Sequence, residues 1–465
     1  TEVDFVVQFA DYYCSHIGEL DKSDAKVFSK VFEASIERAI APNLYERKEN
    51  TNDIVVALSD VAFYVHFHRE YPITAEHIAE VIEAYCKYYD NRYLTAARFI
   101  DIVENSGLMV KTGNGFEYRF KSKDHLAYFV AKALNRKFHN EDGDERNLRQ
   151  IVEHSCFGIN GDILMFLTYI SDNVRIPRLL LLQAIQYVKD WKEFDISEKK
   201  VKYLHGMPER SLSAPTKDEK ESDVRNQAEA EEMNDTPIET LDIYDYDVSK
   251  IDEVNNQLIR AFLQLKIIAR SLSAFISILP AADKRDLVFA MYQMPNKIFN
   301  KWAETIDSSI AELIEEIMKW QEDSDYKGKK YSREEILKFF QETSLGVLLN
   351  LYFLVTSYGA NYSTVDYLSQ QDYIENSLNY RIERMMFLEK IDDYQAVIKE
   401  AEQIYDEFDD GMIRNMVLVI LRHLMVYSDK ILDKERRRVI NKYFSTKDQT
   451  RILLDRQKAL QSQNI

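Results

Sequence analysis

The chain has 465 residues, a formal net charge of −18, 46% hydrophobic and 30% charged residues. That length exceeds one compact core and implies two or three domains. The acidity makes nucleic acid a non-default partner, open only to a local basic patch, and 12 Gly with 8 Pro argue against an all-β fold.

In chain order, Asp4 to about Ile17 reads as a short helix. Ser23 to Ala41 reads as a better one, with Val27, Phe28, Val31, Phe32 and Ile36 at helical spacing and Pro42 ending it. After a polar connection, Asp53 to about His68 carries Leu58, Val61, Ala62 and Val65 on one face. Thr74 caps the next helix, whose stripe is Ile78, Val81, Ile82 and Tyr85. A third helix, about Thr95 to Asn105, buries Phe99, Ile102 and Val103.

A hairpin follows. Leu108 to Lys111 is a short strand, and Thr112-Gly113-Asn114-Gly115 is a turn in which Asn-Gly supplies positive φ. Phe116, Tyr118 and Phe120 alternate with Glu117 and Arg119, the pattern of a half-buried strand. Ser122 then caps a helix striped by Leu126, Phe129, Val130 and Ala133. Three helices before a hairpin is the order of a winged helix.

Beyond the charged loop His139 to Arg146, three short helices are expected at Asn147–His154, Asp162–Ser171 and Ile176–Trp191. The stretch from His205 to about Asp247, with Pro208, Pro215, Pro237 and many charges, reads as a loose linker ending in acidic, aromatic residues 242–247. Ile251 to Leu279 is a long helix stopped by Pro280. Helices at Asp286–Met294 and Lys297–Trp320, from Ser332 to about Ser344, and at Gly346–Ser357 follow, with Ser332 and Glu335 at capping-box spacing. Asp372–Lys390, Asp393–Phe408, Asp410–Ser428 and Lys434–Phe444 complete the array.

Little in this chain marks chemistry. There is no G-x-x-x-x-G-K-[ST] and no G-x-G-x-x-G, so no phosphate cradle is visible. His66 and His68, two apart on a helix, point away from each other and make no metal pair. His125 beside Asp124 has the chemistry of a general base but no marked nucleophile, and a surface or capping role is its ordinary reading. Cys14, Cys86 and Cys156 lack C-x-x-C spacing and read as reduced, buried thiols of a cytoplasmic protein. No apolar run reaches the ~18–20 residues of a membrane span, and the N-terminus lacks a signal peptide.

Charge decides how the winged helix would be used. Its third helix carries Arg98 but also Asp101 and Glu104, so it repels phosphates about as much as it attracts them. Lys111, Arg119, Lys121 and Lys123 form a basic patch around the wing, either a solvated face or a place for a phosphate, including that of a nucleotide held by a neighbouring domain. The run Lys434-Glu435-Arg436-Arg437-Arg438 reads as a solvated helix face.

Ser106-Gly107-Leu108-Met109, Tyr118-Arg119-Phe120, Tyr128-Phe129-Val130-Ala131 and Leu134 resemble the winged helix that closes the nucleotide-binding core of STAND-class NTPases, the NACHT and NLR-like signalling ATPases. Residues 157–170 resemble the helical region that follows it in bacterial members, and the likeness covers about residues 25–200. Two departures stand out. The family's phosphate-sensing histidine falls on Ser122, whose hydroxyl offers a phosphate only a neutral hydrogen bond, and a family glutamate falls on Ala127. The ATPase domain with its Walker motifs is absent from this chain.

The resemblance implies a mainly α protein divided into a helical arm (1–52), a winged-helix domain with its following helix (53–138), a helical region (139–204), an acidic linker (205–250) and a C-terminal helical domain (251–465). It implies the regulatory and ligand-sensing portion of an antiphage ATPase, not itself an enzyme, with ATPase and effector domains upstream of Thr1. ATP or ADP and Mg would belong to that ATPase domain, with Ser122, Lys121 and Lys123 as the nucleotide-facing residues of this chain. The expected partners are those upstream domains, a phage protein, and further copies of the chain on activation, with no membrane. A stand-alone helical scaffold for protein binding and a winged-helix nucleic-acid regulator are the alternatives.

Overall fold

The computed structural model describes residues 25–45, 49–113, 115–138, 145–155, 158–198, 200–207, 209, 254–275, 278–322, 330–359, 365 and 377–463. The helix expected at 4–17, most of the expected linker, Cys14 and Cys156 lie outside them. Among the described residues there are sixteen α-helices and one three-stranded sheet, so the chain is mainly α. None of these helices is long and apolar enough to cross a membrane. The chain divides into two compact units, one from residues 1–186 and 237–280, the other from 187–236 and 281–465.

In the first unit, α1 (Ala25–Ile40) buries Val31, Phe32, Ile36 and Ile40. Helix α2 (Thr51–His68) starts where the Asn50 side chain accepts from Asn52 N at 2.9 Å. Strand β1 (Ile73–Thr74) leads into α3 (Ala75–Tyr89), capped by Thr74, and α4 (Ala96–Asn105), capped by Thr95. The hairpin is β2 (Met109–Lys111) and β3 (Glu117–Phe120), paired antiparallel with Met109 opposite Phe120. Strand β1 adds to its other side, giving the order β1-β3-β2. A two-residue strand carries too little periodicity to be seen in sequence. Tyr118 and Phe120 are buried as expected, but Phe116 is not: it precedes β3 and is 77% exposed.

Helix α5 (Lys123–Phe138) packs against both α2 and, on another side, α7 (Asn160–Ile170). It therefore buries more than the single expected stripe, with Ala127, Tyr128, Ala131 and Leu134 inside as well. Helix α6 (Glu145–Glu153) and α8 (Arg175–Tyr187) complete this part of the chain. Helix α9 (Val254–Phe275) packs on α7 and α1, so residues grouped by sequence with the C-terminal helices belong here instead. At Gly161 in α7 a Cβ would crowd Ser155 O at 3.2 Å, while its 3.6 Å distance to Leu263 Cδ1 of α9 would be ordinary contact.

The second unit begins with a feature the sequence did not suggest. The helix expected to reach Trp191 stops at Tyr187, and residues 191–198 and 200–207 continue without regular structure except a 3₁₀ turn at Lys202–Leu204. Then α10 (Ala281–Glu322) runs unbroken through Pro295, where two helices were expected. Asn296 Nδ2 donates to Tyr292 O at 2.8 Å beside the missing proline N–H, and burial of Met291, Met294, Ile298 and Phe299 holds the turn. Helix α11 (Arg333–Gly359) opens on the expected capping box, with Glu335 N to Ser332 Oγ at 3.2 Å and Ser332 N to Glu335 Oε2 at 2.8 Å. It too is one helix where two were expected. Helices α12 (Leu378–Lys390), α13 (Tyr394–Glu407), α14 (Gly411–Tyr427), α15 (Asp433–Tyr443) and α16 (Thr446–Gln463) follow. Helix α16 escaped the sequence reading because few of its residues are apolar, and of these Ile452 is fully buried.

Candidate functional site

Between β3 and α5, Ser122 holds the capping position. Its carbonyl accepts from Leu126 N at 3.3 Å, its hydroxyl accepts from His125 N at 3.3 Å, and the same hydroxyl lies 2.6 Å from His125 Nδ1. The His125 ring packs 5.3 Å from Phe32. Burial, with Lys121 nearby, pushes the imidazole down to about 4, so it is neutral at physiological pH. A neutral serine–histidine pair closing a helix end is a capping device. Ser122→Ala should lower stability by about 1 kcal/mol in urea unfolding, the usual worth of such a cap.

Lys121 and Lys123 flank the cap and are exposed. Lys123 Nζ stands 3.8 Å from Asp162 Oδ2, and Lys111 Nζ stands 3.1 Å from Glu104 Oε2. Half of the expected basic patch is thus opposed by carboxylates of the same unit. Lys121, Ser122 and Lys123 are contiguous, and the structure brings no further candidate residue to them beyond His125.

Arg98, the cation of α4, is committed elsewhere. Its Nε and Nη2 donate to Glu49 Oε1 and Oε2 at 2.8 and 2.9 Å, and further bonds reach Asp101 and Asn43 O. The guanidinium also lies 3.9 Å over the Tyr45 ring. The Arg98 side chain is 17% exposed and that of Glu49 6%. This bidentate pair fastens the connection after α1 onto α4. Arg98→Ala should cost about 2 kcal/mol, less than a fully buried pair because solvent reaches the Asp101 end. The hydrogen bond from Arg98 holds the Glu49 carboxyl below its ordinary value of 4.5. Its stabilisation is therefore complete above that value and fades as pH falls below it, and unfolding midpoints of the two proteins should converge at acid pH.

The histidine pair of α2 divides as expected from its spacing. Burial pushes the His66 imidazole down to about 4, with Asn160 as its hydrogen-bonding neighbour, while exposed His68 stacks 4.1 Å from Tyr64. His77 pairs with Glu70, which raises its imidazole above the ordinary value. Among the described residues no group of three or more His, Cys, Asp or Glu gathers as a metal site. Cys86 is a half-buried free thiol with Sγ 3.1 Å from Leu94 O.

A network of polar contacts lies in the second unit, around the irregular segment. Phe194 N donates to Asn296 O at 3.1 Å, Ile196 N to Asn379 Oδ1 at 2.9 Å, and Tyr203 N to Asp307 Oδ1 at 2.9 Å. Gln341 Nε2 donates to Tyr203 O at 2.8 Å and to His205 O at 3.2 Å. Behind the segment, Asn296 Oδ1 accepts from Tyr352 OH and from Asn379 Nδ2, both at 2.7 Å. One turn along α12 from Asn379, Glu383 is fully buried and, among the described residues, neither carboxyl oxygen has a hydrogen-bond partner. Burial, with Glu193 adding, pushes its carboxyl well above the ordinary value. Glu193 itself accepts from Tyr380 OH at 2.6 Å and Gln293 Nε2 at 2.9 Å.

No family model matches this chain, and no curated protein or solved structure matches it significantly.

The run at Lys434–Arg438 is the expected solvated face at Lys434, Arg437 and Arg438, but not at Arg436. Arg436 is buried and donates through Nη2 to Ser428 O at 2.7 Å and Ile431 O at 3.3 Å, and through Nη1 to Met425 O, closing the C-terminal end of α14. Arg438 pairs with Glu435 and with Glu402, each at 2.7 Å. Sequence reasoning passed over Asn296, Gln341, Asn379 and Glu383. Their signal was faint: polar residues placed on otherwise apolar helix faces, with no fixed motif.

Proposed function

We propose that this chain is the regulatory and ligand-sensing portion of a STAND-type ATPase that acts in antiphage defence. One observation carries the reading. Residues 51–120 run helix, strand, helix, helix, strand, strand with sheet order β1-β3-β2, an order that supports reading them as a winged helix, and the resemblance to the family lies on that hairpin and the helix after it. In this reading α2 to α5 form the joint that holds the resting state, the helices of the second unit recognise an invader component, and nucleotide and Mg sit on an ATPase domain outside this chain. Ser122 stands where the family senses phosphate, and its use as a helix cap makes the joint structural here. Capture of Arg98 by Glu49 speaks against the nucleic-acid alternative, because it removes the one basic side chain of α4 from any groove.

The test is the coding sequence in frame upstream of Thr1. A Walker A motif there supports the proposal, and an open reading frame without one sinks it. Titration calorimetry with the chain alone should detect neither ATP nor ADP binding, and tight binding of either would place a nucleotide site in this chain and overturn the division of labour.

A further inference from the structure

Residues 191–198 and 200–207 are almost devoid of regular structure, yet among their exposed positions six side chains are buried. Phe194, Ile196, Val201, Tyr203, Leu204 and Met207 are all inside. They are held in two ways. Side chains fill pockets: Phe194 packs edge-on against Phe299 at 4.7 Å, and Tyr203 OH reaches Ser344 Oγ at 2.7 Å. The main chain is read separately, by Asn379 at Ile196 N, by Asp307 at Tyr203 N, and by Gln341 at two carbonyls. These polar groups take peptide atoms, so they are indifferent to which sequence passes through. Main-chain bonds for affinity with pockets for selectivity is the chemistry by which proteins hold extended peptides.

A second observation is independent of that geometry. Asn379 and Glu383 share one face of α12. Glu383 is fully buried and without a hydrogen-bond partner among the described residues, and a charge acting on it from the irregular segment is the carboxylate of Glu193. Tyr380, on the same helix, ties Glu193 to this place. The resident segment therefore meets a buried carboxyl with another acid, where a cation would be the complementary group.

We propose that the groove formed by α10, α11 and α12 is a peptide-binding groove occupied by the chain's own residues 191–198 and 200–207, and that its external ligand is a segment of a partner protein with Lys or Arg in the register of Glu193. The proposal deepens the sensing role given above to this unit and rests on it for the partner being foreign. Peptide binding itself is measured without any nucleotide or upstream domain.

A tethered resident competes at millimolar effective concentration, so the probe must meet a chain whose resident is weakened. The full chain carrying Ile196→Ser and Tyr203→Ser is titrated with two fluorescein-labelled synthetic peptides, one with the sequence of residues 191–209 and one with Glu193→Lys in it. The parent peptide should bind the weakened chain at least tenfold tighter than the unaltered chain. The lysine peptide should gain a further tenfold or so, and adding Glu383→Gln to the weakened chain should cancel that gain. Equal affinities across the two chains or the two peptides, with circular dichroism showing a folded protein, would overturn the proposal. Where the weakened chain does not fold, hydrogen exchange on the unaltered chain decides: Ile196 and Tyr203 amides should exchange at least a hundredfold faster than that of Leu421 in α14, and equal rates would mean a permanent core segment. A Walker A motif upstream with no peptide binding would refute the groove alone, and the reverse pattern would refute the ATPase reading alone.

Discussion

Gly411→Ala should destabilise the second unit by about 2–3 kcal/mol, the upper range for forcing atoms into a packed interior. Gly411 opens α14, with the Asp410 side chain accepting from Met412 N at 2.9 Å. A Cβ there would fall on Met207 O, 2.9 Å from Met207 C and 3.1 Å from Glu209 N. All three are backbone atoms, so no side chain can swing aside, and the segment must lift or the helix must shift. Glu209 would move with it, loosening its hydrogen bond from Tyr405 OH and its contact with Arg414 at 3.2 Å. Gly346→Ala is the control. It lies inside α11 with open space around its would-be Cβ, so alanine there should gain about 0.5–1 kcal/mol from backbone entropy alone. Urea titrations of the two variants should move in opposite directions. A neutral Gly411→Ala would mean that Met207 and Glu209 do not rest on α14 in solution.

The second large effect is a gain. Glu383→Gln should stabilise the protein at pH 7 and flatten its pH dependence. The Glu383 carboxyl is raised above 4.5 in the folded chain by burial and by Glu193. As pH rises past that value, the unfolded chain gives up its proton while the folded chain keeps it. Stability is then full below the ordinary value and falls as pH climbs toward the folded one, by up to about 1.4 kcal/mol per pH unit. Glutamine keeps the shape and removes the ionisation. Unfolding midpoints followed upward from acid pH should show the variant pulling ahead as pH increases past the ordinary carboxyl value. Parallel curves for the two proteins would mean that the carboxyl is solvated.

Much of the helical layout was legible because long apolar stripes and capping residues are local signals. Thr74, Thr95, Ser332, Asp393 and Asp410 all cap the helices their positions implied. The errors fell where tertiary packing overrules local preference. Pro295 reads as a break, but buried neighbours and Asn296 carry α10 through it. Ile176–Trp191 reads as one helix, but residues from Trp191 onward are drawn into the second unit by amides distant in sequence. The candidate residues divide in the same way. Ser122 was legible as a cap, since a cap is defined by its neighbours. The fate of Arg98 was not, because its carboxylate partner stands 49 positions away in the polar connection before α2. Glu383 was invisible among the many acids of the chain, because only burial sets it apart.

The path of the chain between its units has a consequence for how the protein is made. The polypeptide contributes to the first unit, then to the second with residues from 187 onward, returns to the first with α9, and finishes the second from Ala281. A ribosome therefore releases neither unit whole in one pass. The first waits for α9 before its core is closed. Phe194, Ile196, Tyr203 and Met207 leave the ribosome long before Asn296, Gln341, Asn379 and Gly411, the residues they will rest on. Any dissection near residue 250 yields two pieces that each lack a component of their own interior, so a single cut in the sequence does not separate the units.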